Sequence, residues 1–236
     1  MLSAGKRSAP LEEGLKGEKN TMKLRTSIAL LGIAALSSVA TAGTVSAYYG
    51  WEDGGTVMSS YGNLGSAENY NWGGDQGSVV ALTEDPMSGT PQAFVGWITG
   101  LNDGDVIDAS FLGLGDGTEF SKVRIWAHYT TGGIDDYGGS AGGNNTYSGA
   151  DWTLLSDTWT FSGGTASGGD HTGFVIEARI YSYSGQVETT TFVDDLNITV
   201  TSADVSGITI HTPMVPAPGA LALLGLAGLA GRRRRR

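Results

Sequence analysis

The stretch Val123-Arg124-Ile125-Trp126-Ala127-His128-Tyr129 alternates apolar residues with polar or aromatic ones. A period of two is the signature of a β-strand with one face toward a core. The stretch Phe174-Val175-Ile176-Glu177-Ala178-Arg179-Ile180-Tyr181 follows the same rule. If Val123, Ile125 and Ala127, together with Phe174, Ile176, Ala178 and Ile180, point inward, the opposite faces carry Arg124, Trp126, His128, Val175, Glu177, Arg179 and Tyr181.

Working outward, strand-like segments recur near 56–61, 78–84, 93–99, 105–113, 121–130, 152–161, 173–183 and 190–201. Gly, Asn, Asp and Ser fill the connections, as in Leu101-Asn102-Asp103-Gly104-Asp105, where positive φ angles cost little. Helical periodicity is confined to the two ends of the chain. About eight strands spaced in this way predict an all-β domain, a β-sandwich of jelly-roll type. The stretch from Gly132 to Gly149 is expected to be a mobile loop or a binding loop.

The chain has 236 residues, 38 glycines and no cysteine. Between residues 48 and 212, twenty-one Asp and Glu stand against Lys122, Arg124 and Arg179. Such a surface repels phosphate backbones and anionic lipid, which argues against nucleic-acid binding and suits neutral sugars or divalent cations. Without disulfides, a metal is one means of bracing the domain.

Both ends carry targeting features. Met22-Lys23-Leu24-Arg25 is a short basic segment, Ile28 to Leu36 is apolar, and Ala40-Thr41-Ala42 and Val45-Ser46-Ala47 both suit signal-peptidase cleavage. The expected layout is an over-called start at 1–21, a signal peptide at 22–47, a folded domain at 48–210, a linker at 211–219 and a hydrophobic, arginine-ended tail at 220–236. The tail reads Val215-Pro216-Ala217-Pro218-Gly219, then an apolar run, then Arg232 to Arg236. Its arginines would hold it on the cytoplasmic side of a membrane.

This order resembles the PEP-CTERM sorting signal. The resemblance implies Pro216, Pro218 and Gly219 as the sorting motif, an exosortase-type transpeptidase and the membrane as partners during export, and a final place at the cell surface or in the extracellular matrix. A second resemblance lies within the domain. Gly50-Trp51-Glu52-Asp53-Gly54, the span from Ala93 to Phe111 with Trp97-Ile98-Thr99-Gly100-Leu101, and Phe192-Val193-Asp194-Asp195-Leu196-Asn197-Ile198 resemble the opening, the central hairpin and the closing strand of jelly-roll carbohydrate-binding modules.

Strand parity puts Phe192, Asp194, Leu196, Ile198 and Val200 on one face, and a carboxylate among apolar neighbours must be paired, hydrogen-bonded or bound to metal. The resemblance implies a structural Ca²⁺ held by Glu52 and Asp194; the alternative is that Asp194 bonds backbone amides at a strand end. Asp194 and Asp195 face opposite ways, so they do not form a glycosidase pair.

The candidate ligand face is Arg124, Trp126, His128, Glu177, Arg179 and Tyr181. Stacking on Trp or Tyr with polar groups reading hydroxyls is how sugars are held, and an extracellular glycan is the implied partner. The alternative is a solvated sheet face with cross-strand ion pairs. Trp97, Trp152 and Trp159 are expected in the core. Gly138-Gly139-Ser140-Ala141-Gly142 matches a nucleophile string but lacks a following helix. The functions in play are therefore a non-catalytic carbohydrate-binding surface protein, a structural or adhesive matrix component, and, with least support, a hydrolase.

Overall fold

The computed structural model describes residues 42–86, 89–115, 121–181 and 189–214. The expected signal peptide up to residue 41, the segment before it and the tail from Val215 onward lie outside the described residues. The strands are β1 (Gly43–Tyr49), β2 (Ser59–Tyr61), β3 (Leu64–Asn71), β4 (Ser78–Glu84), β5 (Gln92–Thr99) and β6 (Val106–Leu114). They continue with β7 (Lys122–Thr130), β8 (Tyr137–Gly142), β9 (Thr153–Thr160), β10 (Gly173–Tyr181), β11 (Thr190–Ser202) and β12 (Thr209–His211).

Two antiparallel sheets face each other. Sheet A runs β3-β4-β11-β6-β9, with β1 also on β11; sheet B runs β12-β5-β10-β7-β8, with β2 also on β5. The all-β sandwich expected from the alternation is the observed fold. Ile107, Phe111, Leu155 and Ile198 of sheet A meet Ile98, Ile125, Phe174, Ile176 and Ile180 of sheet B in one core. Each such side chain contributes about 1.5–3 kcal/mol by leaving water. Gly96 lets the sheets close here, because a Cβ at that position would lie 2.5 Å from Ile198 Cδ1.

Several expectations need correction. The sandwich begins at Gly43 rather than 48: β1 pairs with β11 along its whole length, from Gly43 opposite Ser202 to Tyr49 opposite Leu196. Small residues such as Val45, Ser46 and Ala47 satisfy a cleavage motif and a strand alike. The span from Ala93 to Phe111 is not a hairpin, since β5 lies in sheet B and β6 in sheet A. The connection through Gly100 and Gly104 carries the chain across the sandwich. Part of the 132–149 stretch is not a loop but β8, paired with β7.

The closing strand departs most from simple parity. The pairing of β11 with β6 slips between Asp194 and Asn197, and Asp195 adopts φ 52°. This bulge reverses the alternation. Before it Val193 belongs to the core, and after it Leu196, Ile198 and Val200 do. Phe192 therefore lies on the outer side, where its ring meets Tyr70 at 5.7 Å and Trp72 at 5.0 Å. Asp194 does not share the inward face of Leu196.

Candidate functional site

The outer face of sheet B is built from ladders of neighbouring strands. One row runs Ser59–Phe94–Glu177–Trp126, and the next runs Tyr61–Gln92–Arg179–Arg124. A slip in the pairing of β5 with β10 leaves Val95 unpaired, turns it to the core and delivers Phe94 to this outer face. His128 stands opposite Val175 on one side and Ser140 on the other.

These rows floor a cleft of about 820 Å³ lined by Ser59, Ser60, Tyr61, Gln92, Phe94, His128, Asp135, Tyr137 and Arg179. Its size lies within the range of small-ligand sites, roughly 300–1,000 Å³. Tyr61 and Tyr137 are 69% and 62% exposed. Deeper down, the His128 ring lies 4.9 Å from Phe94 and 5.4 Å from Tyr137. The hydroxyl of Ser59 donates to Asp135, tying β2 to the segment that precedes β8.

Beneath the cleft Glu177 and His128 are withdrawn from water, and both Glu177 oxygens are engaged. Glu177 is fully buried and His128 is 1% exposed. Glu177 Oε1 accepts from His128 Nδ1 at 2.5 Å, and Glu177 Oε2 accepts from Arg179 Nε at 2.5 Å. A carboxylate only accepts, so the imidazole proton sits on Nδ1. His128 Nε2 has no partner among the described residues.

All six expected ligand-face residues lie on this outer face, but the structure divides them. His128 and Arg179 line the cleft, and Glu177 lies below it. Trp126 and Tyr181 are not open platforms. The Arg124 guanidinium lies 4.3 Å from the Trp126 ring and 4.5 Å from the Tyr181 ring, and Arg179 lies 4.5 Å from Trp126. Arg124 also donates to Asn145 at 3.0 Å. Arg124 thus takes aromatic partners, and Arg179 combines its ion pair with Glu177 with a stack on Trp126.

The open aromatics, Tyr61 and Tyr137, were missed. Tyr61 closes a short strand, and Tyr137 opens β8 in a glycine-rich stretch that shows no alternation. Of the tryptophans expected in the core, Trp159 is buried, whereas Trp97 stacks on His211 at 4.9 Å and Trp152 packs on Trp72 at 5.6 Å. Trp51, in the Gly50–Gly54 motif, is fully buried in the core.

Ser140 sits on β8, beside His128 in the ladder. Its Oγ accepts from Trp126 Nε1 at 3.0 Å and from Gly142 N at 3.2 Å. With His128 Nε2 unpartnered, no serine-to-histidine relay is formed.

The expected metal ligands lie where β11 changes neighbours. Its upstream part pairs with β4 through Val193, and its downstream part pairs with β1 from Leu196 onward. Asp194 sits at this change, 2% exposed, and its Oδ1 has no hydrogen-bond partner. Burial, with the nearby carboxylates of Asp195 and Glu52, pushes its pKa up to about 7. Glu52 Oε1 accepts from Ser78 N at 2.9 Å. Asp195 points elsewhere and accepts from Tyr48 Oη at 2.5 Å, which pushes the phenol up to about 12. An orphaned buried carboxylate oxygen within electrostatic reach of Glu52 has the chemistry of a hard-cation ligand. Among the described residues, no group of three or more His, Cys, Asp or Glu converges on a metal position.

No family model and no curated protein matches this chain. Solved structures resemble it at low identity. One contains the CBM22-1–GH10 modules of a Clostridium thermocellum endo-1,4-β-D-xylanase complexed with xylohexaose, with 13% identity and a TM-score of 0.46. The match covers 64% of this chain and 27% of that one. Another is the CBM22-1 xylan-binding domain from Paenibacillus barcinonensis, with 13% identity, a TM-score of 0.44, and coverage of 67% and 95%. The K1 cleaved adhesin domain of a Porphyromonas gingivalis Lys-gingipain matches at 11% identity and a TM-score of 0.37, covering 65% and 97%.

Proposed function

We propose that this chain is an exported, non-catalytic β-sandwich protein that binds extracellular carbohydrate in the cleft on the outer face of sheet B. The observation that carries the reading is the cleft itself. Two exposed tyrosines stand over a floor of Phe94, His128, Gln92 and Arg179. Aromatic faces take the CH faces of sugars, and the serines, Gln92 and Arg179 offer hydrogen bonds to hydroxyls. A glycan array probed with the full-length chain and with Tyr61→Ala tests it. The wild type is expected to retain at least one polysaccharide class that the variant loses, and equal signals from both would overturn the cleft as the site.

The same proposal assigns Ca²⁺ to Glu52 and Asp194 as a structural ion. It would neutralise the buried Asp194 carboxylate and brace the change of partner along β11; the chain's own residues do the binding. Sorting by an exosortase-type enzyme at Pro216, Pro218 and Gly219, with delivery to the cell surface or matrix, completes the reading, and its support is the order of motifs in the sequence.

A structural or adhesive role is the second reading. It is favoured by a separate aromatic cluster on sheet A, where Tyr70, Trp72 and Leu154 are exposed around Phe192 and Trp152. A matrix pull-down that survives loss of the sheet B cleft and fails with Trp72→Ala would favour it.

A further inference from the structure

We infer that Glu177 sets the charge preference of the cleft: by cancelling Arg179 it makes that guanidinium a reader of hydroxyls and keeps uronate-bearing chains out. The inference rests on the cleft being a saccharide site. Glu177 belongs to the outer row of β10, where a carboxylate would ordinarily face water, yet it is fully buried. Both of its oxygens are engaged, one by His128 Nδ1 and one by Arg179 Nε.

Burying such a pair adds little net stability over apolar residues of the same shape. Here it does two things beside a ligand-sized opening. It holds the edge of Arg179, while the guanidinium carbon rests 4.5 Å from the Trp126 ring centre. It also removes the net charge that an arginine would otherwise present to the cleft.

The charged groups around the opening are Arg179, Glu177 and Asp135, with Tyr61, Tyr137 and His128 as the other titratable side chains. Glu177 offsets Arg179, and Asp135 at the rim offsets Arg124, which neighbours Arg179 across Trp126, so the opening carries no net positive charge within a domain rich in carboxylates. An incoming carboxylate would meet an arginine that is already paired and the repulsion of Asp135. A hydroxyl meets no such penalty. It accepts from the guanidinium and exchanges hydrogen bonds with Gln92, Ser59 and Ser60. Glu177 is thus a positioning residue that does not touch the ligand.

The experiment is calorimetry on the full-length chain, Glu177→Gln and Asp135→Asn, with xylohexaose, cellohexaose, mannohexaose and hexagalacturonate as probes. The wild type is expected to bind at least one neutral hexasaccharide and to reject hexagalacturonate. Glu177→Gln keeps the shape but uncovers Arg179, so its affinity for hexagalacturonate relative to the neutral sugar should rise about tenfold or more. That gain should shrink as salt is raised. Asp135→Asn, at an exposed position, should move the ratio in the same direction and keeps the test decisive if Glu177→Gln folds poorly. Neutral binding with an unchanged ratio in both variants would make Glu177 a purely structural link and overturn the inference while the saccharide reading stands. A wild type that prefers hexagalacturonate would overturn it too. Absence of binding by every form to every probe would remove the saccharide reading itself.

Discussion

Arg124 and Trp126, two positions apart on β7, are stacked, with the guanidinium carbon 4.3 Å from the indole ring. Arg179 lies 4.5 Å from the same ring. On the proposed reading, Trp126 aligns the cleft's arginine and leaves the stacking on sugar to Tyr61 and Tyr137. Trp126→Ala should lower stability by about 1–2 kcal/mol through lost packing and cation–π contact. It should also weaken binding through a freed Arg179.

Tyr61 and Tyr137 should behave differently. Each is largely exposed, so truncation to Ala should change stability by no more than about 0.5 kcal/mol. Binding should fall by about 2 kcal/mol if the ring is a central anchor. Thermal melts and titrations on the same three variants separate the two roles. A stable Trp126→Ala that alone loses binding would reverse the assignment.

The buried carboxylate on β11 gives a pH prediction. Asp194 is raised from 3.8 to about 7, so the folded form holds a proton that the unfolded chain releases at lower pH. In EDTA, stability should therefore fall as pH rises from about 4 to about 7 and then level off. Asp194→Asn should flatten that slope. Added Ca²⁺ should stabilise the wild type most above pH 7, by about 2.7 kcal/mol at a hundredfold excess over Kd. Melting curves across pH, with and without calcium, check this; identical curves would remove the ion from the account.

Removal of the proposed leader would be limited by β1. Cleavage after Ala42 leaves every residue of the strand, whereas cleavage after Ala47 removes most of its pairing with β11. Mass spectrometry of the exported protein should find Gly43 at its N-terminus. A chain beginning at Tyr48 would show that the sandwich tolerates an incomplete sheet A.

Deletion of Val215 to Arg236 should move the protein from the cell surface to the medium in its native host. Fractionation of the full-length and truncated forms is the measurement. Identical distributions would contradict a sorting role for the tail.

The alternation in β7 and β10 was enough to assign both faces, because Val123, Ile125, Ala127 and their β10 counterparts are all core. Parity could not locate the bulges. At Val95 and at Asp195 one extra residue exchanges the two faces, and nothing in the local composition marks the position. That is why Phe94 and Gln92 were missed at the cleft and why Phe192 was placed inside. Tyr137 escaped for another reason: β8 is mostly Gly, Ser and Ala, and takes its conformation from pairing with β7, not from its own propensity. Nor does alternation tell that an outward tryptophan will be covered by arginines from its own sheet.

The pairing of β1 with β11 also governs when the fold can form. The first strand of the sandwich finds its hydrogen-bonding partner only when Thr190–Ser202 is available, nearly at the end of the domain. Sheet A cannot close around a partial chain, and contacts this distant in sequence form slowly. A polypeptide emerging from the ribosome therefore lacks the strand that joins β1, β4 and β6 in sheet A until most of the domain has been made.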